Sequence, residues 1–397
     1  MNTPSVLLGD LALNNSGAFK IGPFGSSLKK SELVSAGIPV VGIENVLPNK
    51  LVKRFRRFIT PQKFQDLSDY EIVPDDVLVT TMGTIGRSAV APVGLGRAIF
   101  DSHLFRMRVD TKRVFPPYLC YALNSNHIAS QLDRKARGAI MDGLNTTIFR
   151  ECSVPLPSIT EQQRIARLLQ QADRLRRMRH YALQMCNELL PAAFLERFGE
   201  PHANPYKYPR ALVEELGEVE TGGTPPRERK EYYGTHVEWI KSDNITLGDI
   251  YPSKAVEGLS VAGEKVGTLV EPGSLLVTCI AGSVASIGNV VLTNRRVAFN
   301  QQINAITPHT DVDPLFLYAL MLVAKPLVQR GATEAMKKMI TKSKLEELLL
   351  FKPPLAEQQK FAGVLAVWSR MRRTSRESLR QADHLFQTLL NQAFSPQ

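Results

Sequence analysis

PSITEQQRIARLL at residues 157–169 and PPLAEQQKFAGVL at residues 353–365 carry the same P-x-x-x-E-Q-Q pattern, and each closes one half of the 397-residue chain. The chain therefore reads as a tandem duplication rather than one long domain. Working back from each copy, GIPVVGIENV (37–46) falls on HVEWIKSDNI (236–245), an apolar strand running into an Asn-containing turn. VPDDVLVTTMGTIGR (73–87) falls on EPGSLLVTCIAGSVASIGN (271–289), and AIFDSHLFRMRV (98–109) on VAFNQQINAITP (297–308). PPYLCYALNS (116–125) matches DPLFLYALML (313–322), both opening on a helix-compatible proline. Short strands thus precede a helix in each half, an α+β pattern with a mostly antiparallel or irregular sheet, because crossover helices are scarce.

Forward from each copy runs a long charged helix, expected over Thr160 to Arg197 with Thr160 as N-cap, and over Ala356 to Phe394. A heptad reading places Ile165, Ala172, Arg179 and Cys186 at one seam position of the first helix and Leu168, Leu175, Ala182 and Leu189 at the other. The second helix offers Phe361, Val364, Trp368, Met371, Ala382, Phe386 and Leu389. Leu175 and Ala182 are seven residues apart and Met371 and Ala382 eleven, which predicts a four-residue stutter. Pro191 is expected to end or kink the first helix.

The simplest burial for both seams is an antiparallel coiled coil with one globule at each end. The expected map is a pseudo-twofold one: globules at 1–157 and 200–353, spacer helices at 158–199 and 354–397, and a rod of roughly 55 Å. Two such globules could enter major grooves on one face of B-DNA about one turn, ~34–36 Å, apart. The layout also predicts that Met1 and Gln397 lie close together, so that new termini in the 200–210 linker leave binding intact.

Composition narrows the function. Hydrophobic residues make up 44% and charged residues 22%, which is globular, and 49 Lys and Arg against 38 acids leave +11 and a pI near 9.5, which favours a polyanion. Cys120, Cys152, Cys186 and Cys279 are scattered without C-x-x-C spacing, so neither zinc nor a disulfide framework is indicated, and a reducing cytoplasm fits. MNTPSVLLGDLALNN has no secretory pattern and no apolar run reaches spanning length, so no membrane is expected. No AdoMet loop, no N/D-P-P-Y/F turn and no G-x-x-x-x-G-K-S/T loop is present. Asn204-Pro205-Tyr206 only echoes such a turn, inside the linker HANPYKYPR. A nuclease reading from Asp75 and Asp110 is confined to one copy, and PDD is more commonly a turn.

Polar and basic loops are the better candidates. KLVKRFRRF (50–58) supplies Lys53, Arg54 and Arg56, with Lys29, Lys30, Arg87, Arg134, Lys135 and Arg137 nearby in the first half. The second half offers Arg227, Arg229, Lys230, Lys241, Arg295, Arg296, Lys337 and Lys338, and the first helix carries DRLRRMRH (173–180). Such cations contact phosphate, while Asn, Gln, Arg and Ser/Thr at strand ends can read base edges. A solvated surface charge is the ordinary meaning of any one of them.

GPFGSSLK (22–29) with GIPVVGIENV, TGGTPPR (221–227) with VEWIKSDNI, and the paired LPSITEQQRIA and PPLAEQQKFA together resemble the specificity (HsdS) subunits of Type I restriction-modification systems, across essentially the whole chain. The resemblance implies a non-catalytic subunit: two target recognition domains that each read half of a split, asymmetric DNA sequence, and a helical spacer that fixes the gap. It implies double-stranded DNA and two modification subunits as partners, with two restriction subunits able to join. S-adenosylmethionine, ATP and magnesium belong to those partners, and this chain holds no cofactor and no metal. Carried over, the DNA-facing candidates are Ser26, Ser27, Lys29, Lys30, Asn45, Thr81, Thr84, Ser102 and His103 in the first half and Thr221, Thr224, Arg227, Lys241, Asn244, Ser283, Gln301 and Gln302 in the second. Gly22, Gly83, Gly222 and Gly282 are expected to serve backbone geometry. The alternative is a stand-alone or degenerate DNA-binding scaffold without active partners.

Overall fold

A computed structural model of the chain describes residues 4–14, 17–136, 146–332 and 338–394. The chain divides into two compact units, residues 1–178 with 380–397, and residues 179–379. Each unit therefore takes a recognition globule together with a portion of both long helices. Met1 and Gln397, whose proximity the layout predicts, lie outside the described residues.

In the first unit a four-stranded antiparallel sheet runs in the order Phe19–Ile21, Leu104–Met107, Val77–Thr80, Ser88–Val90. The second unit repeats it with Gly217–Thr221, Ile303–Pro308, Leu275–Thr278 and Val290–Leu292. The inner strands are buried on both faces, which is why VLVT and LLVT read as apolar runs rather than alternations. Beside each sheet lies one parallel pairing, Ile38–Val41 with Ile99–Phe100 and Val237–Ile240 with Val297–Phe299. Each globule is closed by a two-stranded pair that brings its first strand to the strand before its long helix: Ser5–Leu7 with Ser153–Pro155, and Arg210–Leu212 with Leu349–Phe351.

The repeated Glu-Gln-Gln has a structural cause. Gln162 is fully buried; its Oε1 accepts from Phe115 N–H at 2.8 Å, and its Nε2 donates to the carbonyls of Arg113 (3.0 Å) and Pro157 (2.9 Å). Gln358 does the same with Asp313 N–H (2.8 Å) and the carbonyls of Asp311 (3.2 Å) and Pro353 (2.8 Å). In both units the glutamine satisfies backbone groups that would otherwise be buried unpaired, tying the long helix to the turn before Pro116–Leu123 or Pro314–Val323.

The central helix spans Ile159–Phe198 and the C-terminal helix Leu355–Phe394, 40 residues each. Ser158, not Thr160, caps the first, its Oγ accepting from Glu161 N–H at 3.4 Å. Pro191 does not end it. The helix continues to Phe198 because Leu190, Phe194 and Phe198 are buried in the second unit's core, which offsets the hydrogen bond a proline removes.

The expected stutter is absent. Buried positions coincide along the two helices at one constant offset: Leu169 with Leu365, Ala172 with Trp368, Cys186 with Ala382, Leu190 with Phe386, Phe194 with Leu390, Phe198 with Phe394. Ala382 matches Cys186 rather than Ala182, and that mispairing produced the apparent four-residue gap.

The seam differs from the heptad in part. Ala172, Phe361, Trp368 and Ala382 are buried, and Ile165 and Leu389 pack partly buried on the first unit's core. Leu168, Leu175, Leu189, Val364 and Met371 are exposed, as is Ala182. A strict heptad assumes one helix–helix seam, whereas each helix here must also cover a globule. Its apolar face drifts with the 3.6-residue turn to the four-residue spacing of Cys186, Leu190, Phe194 and Phe198.

Within each unit the helix portions run antiparallel. In the second, Trp368 Nε1 donates to the Cys186 carbonyl at 2.6 Å, Arg372 to Asn187 Oδ1 at 2.7 Å, Phe194 and Phe198 pack on Phe361, and Arg197 pairs with Glu357. In the first, Arg176 lies over the Phe386 ring at 4.4 Å and near Asp383 at 4.0 Å, the counterpart of Arg372 with Asn187. Of the basic run, Arg176 and Arg177 are held by the buried Asp173 at 2.6 and 2.5 Å, whereas Arg174, Arg179 and His180 are exposed.

Candidate nucleic-acid interface

In each unit the segment that links the parallel strand to the sheet is the hub on which the candidate loops converge. In the first unit this is Asp101–His103. Asp101 N–H donates to Val41 carbonyl (3.0 Å), Gly22 N–H to Leu104 carbonyl (3.0 Å), and Thr81 N–H to His103 carbonyl (2.9 Å). In the second, Asn300 N–H donates to Ile240 (3.0 Å), Gly222 N–H to Ile303 (3.0 Å), and Cys279 N–H to Gln302 (2.8 Å). Gly22 and Gly222 are required here: a Cβ on either would collide with the carbonyl of Asp101 or Asn300. Gly83 sits at φ +69°, but Gly282 has ordinary φ and open space around it, so geometry does not demand glycine there.

Several expected contacts turn out to build the frame. Asn45 is 1% exposed; its Oδ1 accepts from Gly42 N–H, and its Nδ2 donates to the carbonyls of Val52 and Arg54. Asn244 repeats this with Lys241 N–H, Ser253 and Lys254. With the amides spent internally, these residues hold the loop rather than offer it donors. Thr81 is likewise buried.

Others stand on the surface of the converging loops: Ser26, Ser27, Lys29 and Lys30, then Thr84 and His103, with Arg87 half-buried. Lys53, Arg54 and Arg56 are exposed on their own stretch, Lys53 donating to the Gly94 carbonyl at 2.8 Å. In the second unit Thr221, Thr224, Arg227, Ser283 and Gln301 are exposed, and Thr224 Oγ1 bonds Gln301 Oε1. Lys241 and Gln302 are half-buried, and Ser242 Oγ donates to Gln302 Oε1 at 3.1 Å. Arg137 and Lys337 lie outside the described residues. Lys338 is placed on a short strand paired with Ile280–Ala281, its side chain outside the description.

Three features escaped the sequence reading. Phe24, at the tip of the GPFGSS loop, is 63% exposed, where the second unit has Thr224. Val40 N–H donates to Arg57 carbonyl at 2.9 Å and Trp239 N–H to Glu257 carbonyl at 3.1 Å, so Arg57 and Glu257 occupy equivalent positions with opposite charge. Arg57 is bracketed by Asp101 (2.7 Å) and Glu44 (3.2 Å); Glu257 by Lys241 (2.5 Å) and Arg227 (2.8 Å). Lys241 first and Arg227 second hold the Glu257 carboxyl below the usual range. Only the repeat alignment of the preceding strand could have flagged this pair.

The nuclease reading finds no geometry. Asp75 is a turn residue at φ +69°, matching Gly273 at φ +97°, and Asp110 accepts from Lys112 N–H at 3.0 Å. Among the described residues no group of three or more His, Cys, Asp or Glu could hold a metal. The buried acid is Asp76, paired with Arg108 at 2.8 Å; the second unit replaces that ion pair with Ser274 and Thr307, whose hydroxyls are 3.0 Å apart. Asn204, at φ +47°, bonds the Tyr208 backbone twice and is a linker turn.

Two copies of the Type I restriction modification DNA specificity domain match this chain, over residues 19–181 and 212–378. The chain belongs to the Type I restriction-modification specificity subunits. A Methanocaldococcus jannaschii chain bearing the name of the MjaX specificity subunit is 21% identical over 374 residues, 89% of this chain and 86% of that one. The HindI specificity subunit of Haemophilus influenzae is 32% identical over 108 residues, 27% of this chain and 22% of that one. A chain from a structure described as the basis of assembly and conformational transition of the type I R-M system superposes with a TM-score of 0.58 at 19% identity, covering 98% and 97% of the two chains. The S subunit from M. genitalium gives 0.56 at 13%, covering 99% and 96%. This specificity subunit is thus a DNA-recognition chain without catalysis of its own, and no helix among its described residues is long and apolar enough to cross a membrane.

Proposed function

We propose that residues 1–157 and 200–353 each read one half of a bipartite, asymmetric DNA target, and that the spacer helices, 158–199 and 354–397, set the unread gap. The observation that carries this is the pair of frames built alike and dressed differently. The same hub, glycine and Asn-held turn recur in each unit, yet Arg57 corresponds to Glu257 and Phe24 to Thr224 in the repeat. Repeated scaffolding with divergent groups upon it suits two different half-sites. The DNA-facing set is Ser26, Ser27, Lys29, Lys30, Lys53, Arg54, Arg56, Thr84, Arg87 and His103, with Thr221, Thr224, Arg227, Lys241, Ser283, Gln301 and Gln302.

Two modification subunits, carrying S-adenosylmethionine and methylating adenine N6, dock on this chain in the cytoplasm, and two restriction subunits using ATP and magnesium are able to join them. Exposed apolar residues on the helices support docking: Leu168, Leu175 and Met178 in the first unit, and Met185, Leu189, Val364, Val367 and Met371 in the second. Sequencing the methylome of a host that expresses this chain with its modification partner tests the reading. A two-part, non-palindromic methylated motif is expected; one uninterrupted motif, or none, refutes it.

A further inference from the structure

Arg227, exposed on one of the converging loops, is held before any DNA arrives. Its guanidinium lies 4.8 Å from the Tyr233 ring centroid and 4.9 Å from that of Trp239, and its Nη1 donates to Glu257 Oε2 at 2.8 Å. Glu257 is in turn fixed through its other oxygen by Lys241, whose ammonium lies 5.0 Å over Trp239. Trp239 is itself 2% exposed, and its Nε1 donates to the Gly223 carbonyl at 3.2 Å, so the platform cannot swing. The Arg227 side chain nonetheless remains 53% exposed, and Nε and Nη2 have no hydrogen-bond partner among the described residues.

A cation used only as a phosphate anchor needs no such support, because a mobile side chain follows the backbone. A planar fork with one edge tied back and the Nε–Nη2 edge presented matches the O6 and N7 acceptors of guanine in the major groove. Ordering it beforehand removes an entropy cost that binding would otherwise carry. In the first unit, counting from the matched Gly22 and Gly222, Ser27 stands in its place, and the position of Glu257 is taken by Arg57, neutralised by two carboxylates.

We propose that Arg227 is a specificity-determining residue that reads one guanine in one half-site, with Glu257 and Trp239 as positioning residues. The proposal rests on the recognition function above. Its test uses the full chain in complex with its modification subunits, selecting bound duplexes from a random library and comparing wild type with Arg227→Lys, Arg227→Gln and Glu257→Gln. Wild type should select a two-part motif with an essential guanine in one part. Arg227→Lys should reduce the preference for that guanine by roughly tenfold to a hundredfold while leaving the other half-site unchanged.

Arg227→Gln should move the same position towards adenine, which a glutamine amide can bracket. Glu257→Gln should give an intermediate guanine preference at an unchanged unfolding midpoint, a combination that a merely structural role would not produce. Uniform weakening across all sequences with an unchanged motif would make Arg227 a phosphate contact and overturn the proposal, as would a wild-type motif in which neither part depends on guanine. A wild-type complex that selects no two-part motif fails one step earlier and overturns the recognition reading as well.

Discussion

Gln162 and Gln358 each satisfy one backbone N–H and two carbonyls in places water cannot reach. Alanine at either position leaves those groups buried and unpaired, which should cost about 2–4 kcal/mol by denaturant unfolding, with similar losses for the two variants. Asp75 makes the opposite case. It occupies the left-handed region where its repeat mate is glycine, so Asp75→Gly should leave methylation intact and hold or raise stability by up to about 1 kcal/mol, whereas Asp75→Val should lower it. Lost methylation in Asp75→Gly would reopen a chemical role for this acid. All four cysteines are buried, and burial pushes the Cys120 and Cys279 thiols up to about 12. At pH 8 these two stay protonated, and because all four cysteines are buried a thiol reagent should label none in the folded chain and four after denaturation. At this scale the sequence did not separate residues that build the loop frame from residues the loops expose. Asn45 and Asn244 follow aligned strands, where a base-reading residue could stand, yet each closes the short helical turn after the strand, and only the hydrogen bonds separate the two uses.

The helices were legible in length, position and direction of pairing because charge and apolar recurrence persist over many turns, interrupted by a single glycine, Gly363, and the single proline Pro191. Their buried face was not. A heptad describes a helix with one neighbour, and these have a globule as well, so Leu168 and Leu175 turn outward while Leu169 and Ala172 turn in. Pro191 shows the same override: propensity predicts a stop, and the aromatic packing of Phe194 with Phe316, Phe351 and Phe361 carries the helix through. Pro191→Ala should therefore raise stability, by about 1–3 kcal/mol, since it restores a backbone donor without disturbing that packing. A lower unfolding midpoint would mean that the proline shapes a bend the packing requires.

The boundary between the two units does not follow the repeat. Phe386, Leu390 and Phe394 of the C-terminal helix belong to the same core as Val77, Phe105 and Tyr118, with Tyr118 and Phe394 ring centroids 5.2 Å apart. Removing residues 380–397 should thus loosen the first unit and spare the second. Hydrogen exchange should show protection lost across Leu104–Met107 and kept across Ile303–Pro308; the reverse pattern would contradict this core assignment. The net charge of +11 belongs to this scale too, and DNA affinity should fall by about a thousandfold or more between 50 and 200 mM salt if six or more phosphates are contacted. The shared core also bears on synthesis. The second unit is continuous, residues 179–379, and can fold as it leaves the ribosome, whereas the first must wait for Phe394. At roughly 5–20 residues per second that wait is on the order of tens of seconds, during which a nearly complete sheet stands with one wall of its core missing. The half translated first is the half that matures last, and it is the one a chaperone would have most reason to hold.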